Sequence, residues 1–207
     1  MKRQRLTREQ SKDQTRLRLL DAAQAIFMKK GFVATSVEDI AEAAGYTRGA
    51  FYSNFDSKPE LFLELLRRDH EEMQAALESI FEEGATRETM EARVLEYYSN
   101  LPRDDKCFLL WMEAKLLAAR DSSFRVKFNA FLHEKLGQMS EYIRAFSARA
   151  GTPLLLPAET LAMGLMGLCE GVQFFYTIDP HNVPAETAEA VLAGFFSRVV
   201  FGRDVGQ

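Results

Sequence analysis

The chain has 207 residues, 47% apolar and 27% charged, with 12 Gly, 6 Pro and 2 Cys. That is enough apolar sequence for a sizeable core, and it excludes disordered, collagen-like and disulfide-framework classes. The net charge of −4 hides an asymmetry: residues 1–58 hold 11 Lys and Arg against 7 Asp and Glu, and the remainder 15 against 23. A basic first quarter on an acidic body suits an anion-binding module joined to something else.

The start is basic (Lys2, Arg3, Arg5, Arg8), but no apolar run follows it, so no export signal is read and a cytoplasmic protein is expected. Residues 1–18 are expected to form an arm along phosphates or in a minor groove, or else a solvated tail. From about Thr15 to Lys30, Leu17, Leu20, Ala23 and Phe27 recur at helical steps, and Gly31 ends the helix. Ser36 starts a short helix to Ala44, with Asp39 placed for a capping box. Gly45 breaks it, and Thr47 to Phe55 is a second short helix. Ser57-Lys-Pro-Glu60 is a helix start: a Ser cap, a proline where no donor is needed, and a Glu reaching back. That helix runs to about Glu83.

Gly84, Pro102, Asp121 and the segments 151–157 and 179–184 divide the rest. Helices are predicted at about 86–100, 104–120, 122–150, 158–178 and 185–201. The expected fold is all-α, with about nine helices: a three-helix N-terminal domain (residues 1–56) and a larger helical bundle (57–207). The apolar stretch from Leu161 to Ile178 contains Glu170 and Gln173, which favours a buried helix of a soluble protein over a membrane span.

Residues 36–55 read as a helix-turn-helix. Ile40 and Ala44 face the core, Ala41 is small where the helices cross, and Gly45 supplies the positive φ of the turn. Thr47 caps the next helix, and Phe51 and Phe55 anchor it. Arg48, Gly49, Tyr52 and Asn54 then lie outside. In this motif the second helix enters the DNA major groove with its N-terminal residues at base edges. Arg48 can fork onto guanine O6 and N7, Gly49 allows close approach, and Tyr52 can touch a thymine methyl or a phosphate. Ser36 and Lys58 flank the helix, where hydroxyl, amide and ammonium groups suit phosphates.

The stretch from Thr35 to Lys58, TSVEDIAEAAGYTRGAFYSNFDSK, resembles the signature of TetR-family transcriptional regulators. The resemblance runs from the helix ending at Gly31 to about Leu65. It implies bases for Arg48, Gly49 and Tyr52, and phosphates for Ser36, Thr47 and Lys58. Many members carry an aromatic–His pair where this chain has Ser53-Asn54, so Asn54 is the remaining donor there. The resemblance further implies a double-stranded operator, a homodimer built from the last two helices, and a small-molecule effector.

For the dimer, Gly164, Gly167 and Gly171 line one side of the 158–178 helix, and Val191, Phe195 and Val199 belong to the apolar last helix. For an apolar or aromatic effector, Phe108, Trp111, Met112, Met139, Tyr142, Met163, Met166 and Phe174 are the candidate lining, since Met and aromatic side chains adapt to apolar ligands. Each is also an ordinary core residue. Glu113 and Glu170 put charges inside apolar runs, and either a polar ligand or an ion pair would account for them.

Catalytic patterns are missing around His70, His133 and His181, so neither an enzyme nor a metal or cofactor is expected. Cys107 and Cys169 lie in apolar runs as reduced packing residues. The expected function is a DNA-binding regulator, a repressor released from a pseudo-palindromic operator by its ligand. The alternatives are a DNA-bound structural or cell-division regulator acting through protein partners, and a helical dimer that binds protein alone.

Overall fold

The structure is a computed structural model, and it describes residues 7–80, 86–104, 107–196 and 198. Among these, nine α-helices and no strands occur: α1 (Arg8–Lys30), α2 (Val37–Ala43), α3 (Arg48–Tyr52), α4 (Lys58–Ile80), α5 (Arg87–Asp104), α6 (Phe108–Arg120), α7 (Ser122–Ala150), α8 (Ala158–Ile178) and α9 (Ala185–Phe195).

The largest departure from the sequence reading is at the start. α1 begins at Arg8, because Thr7 and Gln10 form a reciprocal capping box. Arg8, Lys12, Arg16 and Arg18 are therefore helical and not part of an arm. Residues 1–6 lie outside the described residues. α5 also differs: it runs through Pro102 to Asp104. A proline removes one i→i−4 bond, and here only two helical residues follow it.

The described residues of Met1–Glu71 and Cys107–Phe128 form one compact unit, and those of Glu72–Lys106 and Asn129–Gln207 form another. The first unit thus groups α6 with the N-terminal helices, which nothing in the sequence indicated. Its buried residues include Leu19, Leu20, Ala23 and Phe27 of α1, Leu61, Phe62, Leu65 and Leu66 of α4, and Phe108, Leu110, Trp111 and Ala114 of α6. The rings of Phe27, Phe32 and Phe62 meet pairwise at 4.6–5.4 Å between centroids. Edge-to-face and offset pairs of this kind add to plain area burial.

In the second unit, Met90, Val94 and Tyr98 of α5 share a core with Phe146 of α7, Leu165 and Val172 of α8, and Leu192 and Phe196. The Tyr98 and Phe196 rings are 4.1 Å apart. Arg87 reaches the buried Glu91 one turn on, so that carboxylate is paired rather than isolated.

Candidate nucleic-acid interface

Ser36 caps α2: its Oγ accepts from Asp39 N–H at 3.0 Å, and Asp39 Oδ2 accepts from Ser36 N–H at 2.8 Å. Lys30 donates to the same Asp39 oxygen at 2.7 Å, and with these bonds it holds the carboxyl far below the usual range. α2 then buries Ile40 and Ala41. Ala44 is only half-buried, although it was expected in the core. Gly45, at φ +76, turns the chain, and Tyr46 N–H closes the turn on the Ala41 carbonyl at 2.8 Å. Thr47 Oγ1 caps α3 by accepting from Ala50 N–H.

α3 buries Phe51, and Phe55 follows it into the core. That leaves Arg48, Gly49 and Tyr52 exposed on the outer side, as the spacing predicts. Arg48 is held from two directions. Its Nη1 lies 2.9 Å from Glu38 Oε1 on α2, and its guanidinium carbon is 5.4 Å from the Tyr52 ring centroid.

Asn54 and Lys58 differ from the other site residues. Asn54 Nδ2 donates to the Ala50 carbonyl at 2.8 Å, so one of its amide protons is spent on the preceding helix, α3. Lys58 lies over the Phe32 ring at 4.2 Å and donates to the Phe32 and Thr35 carbonyls at 2.7 and 2.5 Å. Burial pushes its ammonium below the usual lysine value. Ser57 and Glu60 start α4, but Glu60 reaches back to Asp56 N–H at 2.9 Å rather than to Ser57 N–H.

Arg16, in the basic segment 1–18, has a role that its charge alone does not indicate. From α1 it grips Glu64 on α4 through two nitrogens, donates to the Asn54 carbonyl and covers the Phe55 ring at 4.2 Å. It thereby ties the C-terminal end of the helix-turn-helix to α1 and α4. Its spacing, three and four residues before Leu19 and Leu20 on the apolar side of α1, was the available signal.

The candidate ligand lining falls into both compact units. Phe108, Trp111 and Met112 belong to the first, where Trp111 Nε1 donates to Asp69 at 2.7 Å. Met139, Tyr142, Met163, Met166 and Phe174 belong to the second. There, Met139 and Tyr142 pack against the core, and Met166 is half-buried. Met163 and Phe174 are instead 62% and 41% exposed on α8. Glu113 takes a role within its unit that the sequence did not suggest: its carboxylate accepts a backbone N–H, from Phe32, at 2.6 Å.

α8 is, among the described residues, the one helix long and apolar enough to cross a membrane, and much of its surface is exposed. Phe175 and Ile178 accompany Met163 and Phe174 on the open side of α8, and Val191 on α9 is also exposed. Gly164 and Gly167 are exposed there, Gly171 is half-buried, and a Cβ on any of them would meet nothing within 4 Å. Phe195 packs against the second unit's core, and Val199 lies outside the described residues. No cluster of three or more His, Cys, Asp or Glu suited to a metal occurs among the described residues.

Residues 19–65 match the family model for bacterial regulatory proteins of the tetR family. The chain is 41% identical over 78 residues to the HTH-type transcriptional regulator TtgR of Pseudomonas putida, an alignment covering 36% of this chain and only 37% of TtgR. It is 29% identical to the uncharacterised HTH-type regulator YdgC of Bacillus subtilis, over 93% of this chain and 96% of YdgC. The solved SmeT–triclosan complex shares the fold, with a TM-score of 0.69 at 24% identity over 90% of this chain and 91% of SmeT. The helix-turn-helix segment, residues 19–65, belongs to the TetR family of bacterial regulatory proteins, and the relative aligned over nearly its whole length and the shared all-α fold agree with that match.

Proposed function

We propose that the chain is a DNA-binding transcriptional regulator, acting as a homodimeric repressor that a small apolar or aromatic ligand releases from a pseudo-palindromic operator. The observation that carries this reading is the outer side of α3. Arg48, Gly49 and Tyr52 are exposed together on a helix whose other side is fixed by Phe51. A capped helix that presents an arginine at its first position suits major-groove readout. The family-model match over residues 19–65, which contains α3, supports the same reading.

In this scheme residues 1–56 read DNA, and residues 57–207 bind the ligand and dimerise. Arg48, Gly49 and Tyr52 face bases. Ser36 and Thr47 offer hydroxyls near phosphates. Lys58 has two protons on carbonyls and one left for a phosphate. Asn54 contributes through its second amide proton.

The dimer reading is supported by the exposed apolar side of α8 and α9, with its open glycines. Large contiguous apolar surface on a soluble chain marks an interaction site. The effector reading rests on Met139, Tyr142 and Met166 in the second unit, and on the ligand complex of SmeT. Release would be a population shift: the ligand favours a conformer whose two reading heads no longer match the operator.

Selection of bound duplexes from a random pool tests this function. It should return two inverted half-sites spaced near a whole number of helical turns. No enrichment at low salt would contradict DNA binding and favour a helical dimer that binds protein alone. Many enriched single sites without dyad symmetry would favour a DNA-bound structural regulator.

A further inference from the structure

α1 ends at Gly31, whose φ is +83, and its N–H closes on the Phe27 carbonyl at 2.8 Å. The next donor, Phe32 N–H, has left the helix. It is taken by Glu113 Oε2 at 2.6 Å, from α6, which lies some 80 residues away in sequence. The other oxygen of that carboxylate lies 2.6 Å from where a Cβ on Gly31 would stand. Glycine is needed here for its backbone, and a Cβ in its place would also displace the end of the Glu113 side chain.

The carbonyls of the same loop are held by a cation. Lys58 donates to the Phe32 and Thr35 carbonyls, and Thr35 Oγ1 donates to the Gly31 carbonyl at 2.7 Å. Residues 31–35 are therefore gripped on their N–H side by an anion and on their C=O side by an ammonium. Thr35 is 2% exposed and directly precedes Ser36, the cap of α2. Whatever fixes this loop fixes where α2, and after it α3, begin.

We propose that Glu113 is a positioning residue for DNA reading: by accepting the Phe32 N–H it sets the α1–α2 loop, and through it the placement of Arg48. The proposal rests on the DNA-binding reading above. A charge-assisted bond to a backbone donor is stronger than a neutral one and also constrains direction. α6 then acts as part of the reading head, although the helix-turn-helix signature ends far before it in the sequence.

The test uses the full chain as wild type, Glu113→Ala, Gly31→Ala and Glu113→Gln. Glu113→Ala removes the acceptor. Gly31→Ala drives a Cβ into it. Glu113→Gln keeps a carbonyl oxygen that can still accept. Two quantities are read: hydrogen exchange at the Phe32 amide, and affinity of the active fraction for the duplex recovered by the wild type from a random pool. The active fraction is fixed by stoichiometric titration, so simple unfolding lowers the number of sites and not their affinity.

Glu113→Ala and Gly31→Ala should each speed Phe32 exchange and weaken binding by about tenfold, the scale of one hydrogen bond to a charged group. The salt slope should stay unchanged, because no phosphate contact is lost. Glu113→Gln should restore most of both. Protection of Phe32 or affinity at the wild-type level in the two disruptive variants would overturn the proposal, as would a Glu113→Gln defect equal to that of Glu113→Ala. If the wild type itself binds no duplex, the DNA-binding reading fails, while Phe32 exchange still decides whether Glu113 holds the loop.

Discussion

Arg16 and Glu64 are 48 residues apart in sequence, yet the guanidinium of one closes on the carboxylate of the other through two parallel bonds. The remaining arm of Arg16 donates to the Asn54 carbonyl at the end of the helix-turn-helix. Planar forks of this kind recognise carboxylates with a direction that a lysine cannot reproduce. Arg16→Ala should therefore lower stability by about 2 kcal/mol, since it leaves a carboxylate and a carbonyl without their charged donor. Arg16→Lys should recover only part of this. Denaturant midpoints of the three proteins check it, and an Arg16→Ala midpoint equal to wild type would remove the clamp.

Helix caps give a second, local prediction. Ser36→Ala removes the oxygen that accepts Asp39 N–H and should cost about 1 kcal/mol. The Asp39 carboxylate held by Lys30 adds a pH dependence. Its folded value lies below its unfolded value, so its contribution is present above the ordinary carboxylate range and fades as pH falls beneath it. Wild type and Asp39→Asn should therefore differ in stability at neutral pH and converge as an acid titration passes through that window.

The glycines of α8 separate chain stability from association. A Cβ at Gly164, Gly167 or Gly171 meets nothing within 4 Å in one chain. Gly167→Leu should therefore leave the fold intact, and replacing a helical glycine even favours the helix by roughly 1 kcal/mol. If a second copy packs there, the same leucine overpacks the interface by about 1–3 kcal/mol. Sedimentation should show weakened dimers of a fully helical protein. Undiminished dimerisation would move the interface elsewhere.

Burial pushes the Cys169 thiol up to about 12 from an ordinary value of 9.0, with Glu170 adding to the shift. At neutral pH it holds almost no thiolate, so alkylation by iodoacetamide should be far slower than for free cysteine. The unfolded thiol ionises first, so this group lowers stability as pH rises from 9.0 toward about 12. Cys169→Ala should flatten that part of the alkaline limb. Rapid labelling of native protein at pH 8 would contradict the burial.

The parts of this molecule legible in sequence were those set by local chemistry. Ser36, Gly45 and Thr47 announce caps and a turn through their own side chains and φ, and each does what its type requires. Phe51 and Phe55 sit one turn apart, so the exposure of Arg48, Gly49 and Tyr52 followed from helical period alone. What stayed hidden depends on partners distant in sequence. Arg16 reads as another basic residue until Glu64 and Asn54 stand beside it. Glu113 reads as a charge in an apolar helix until Phe32 N–H reaches it. Met163 and Phe174 look like core or pocket residues because the hydropathy of α8 is apolar nearly all round, which does not tell an inner side from an exposed one.

In the proposed function, Arg48 reads a base from the start of α3. Competition binding of wild type, Arg48→Ala and Lys58→Ala on point variants of the selected duplex tests it most directly. Arg48→Ala should cost about 1–3 kcal/mol and abolish preference at one position in each half-site, while preference elsewhere persists. Lys58→Ala should weaken all sequences alike and lower the salt slope by about one. Uniform weakening by Arg48→Ala, with base preference retained at every position, would contradict the account.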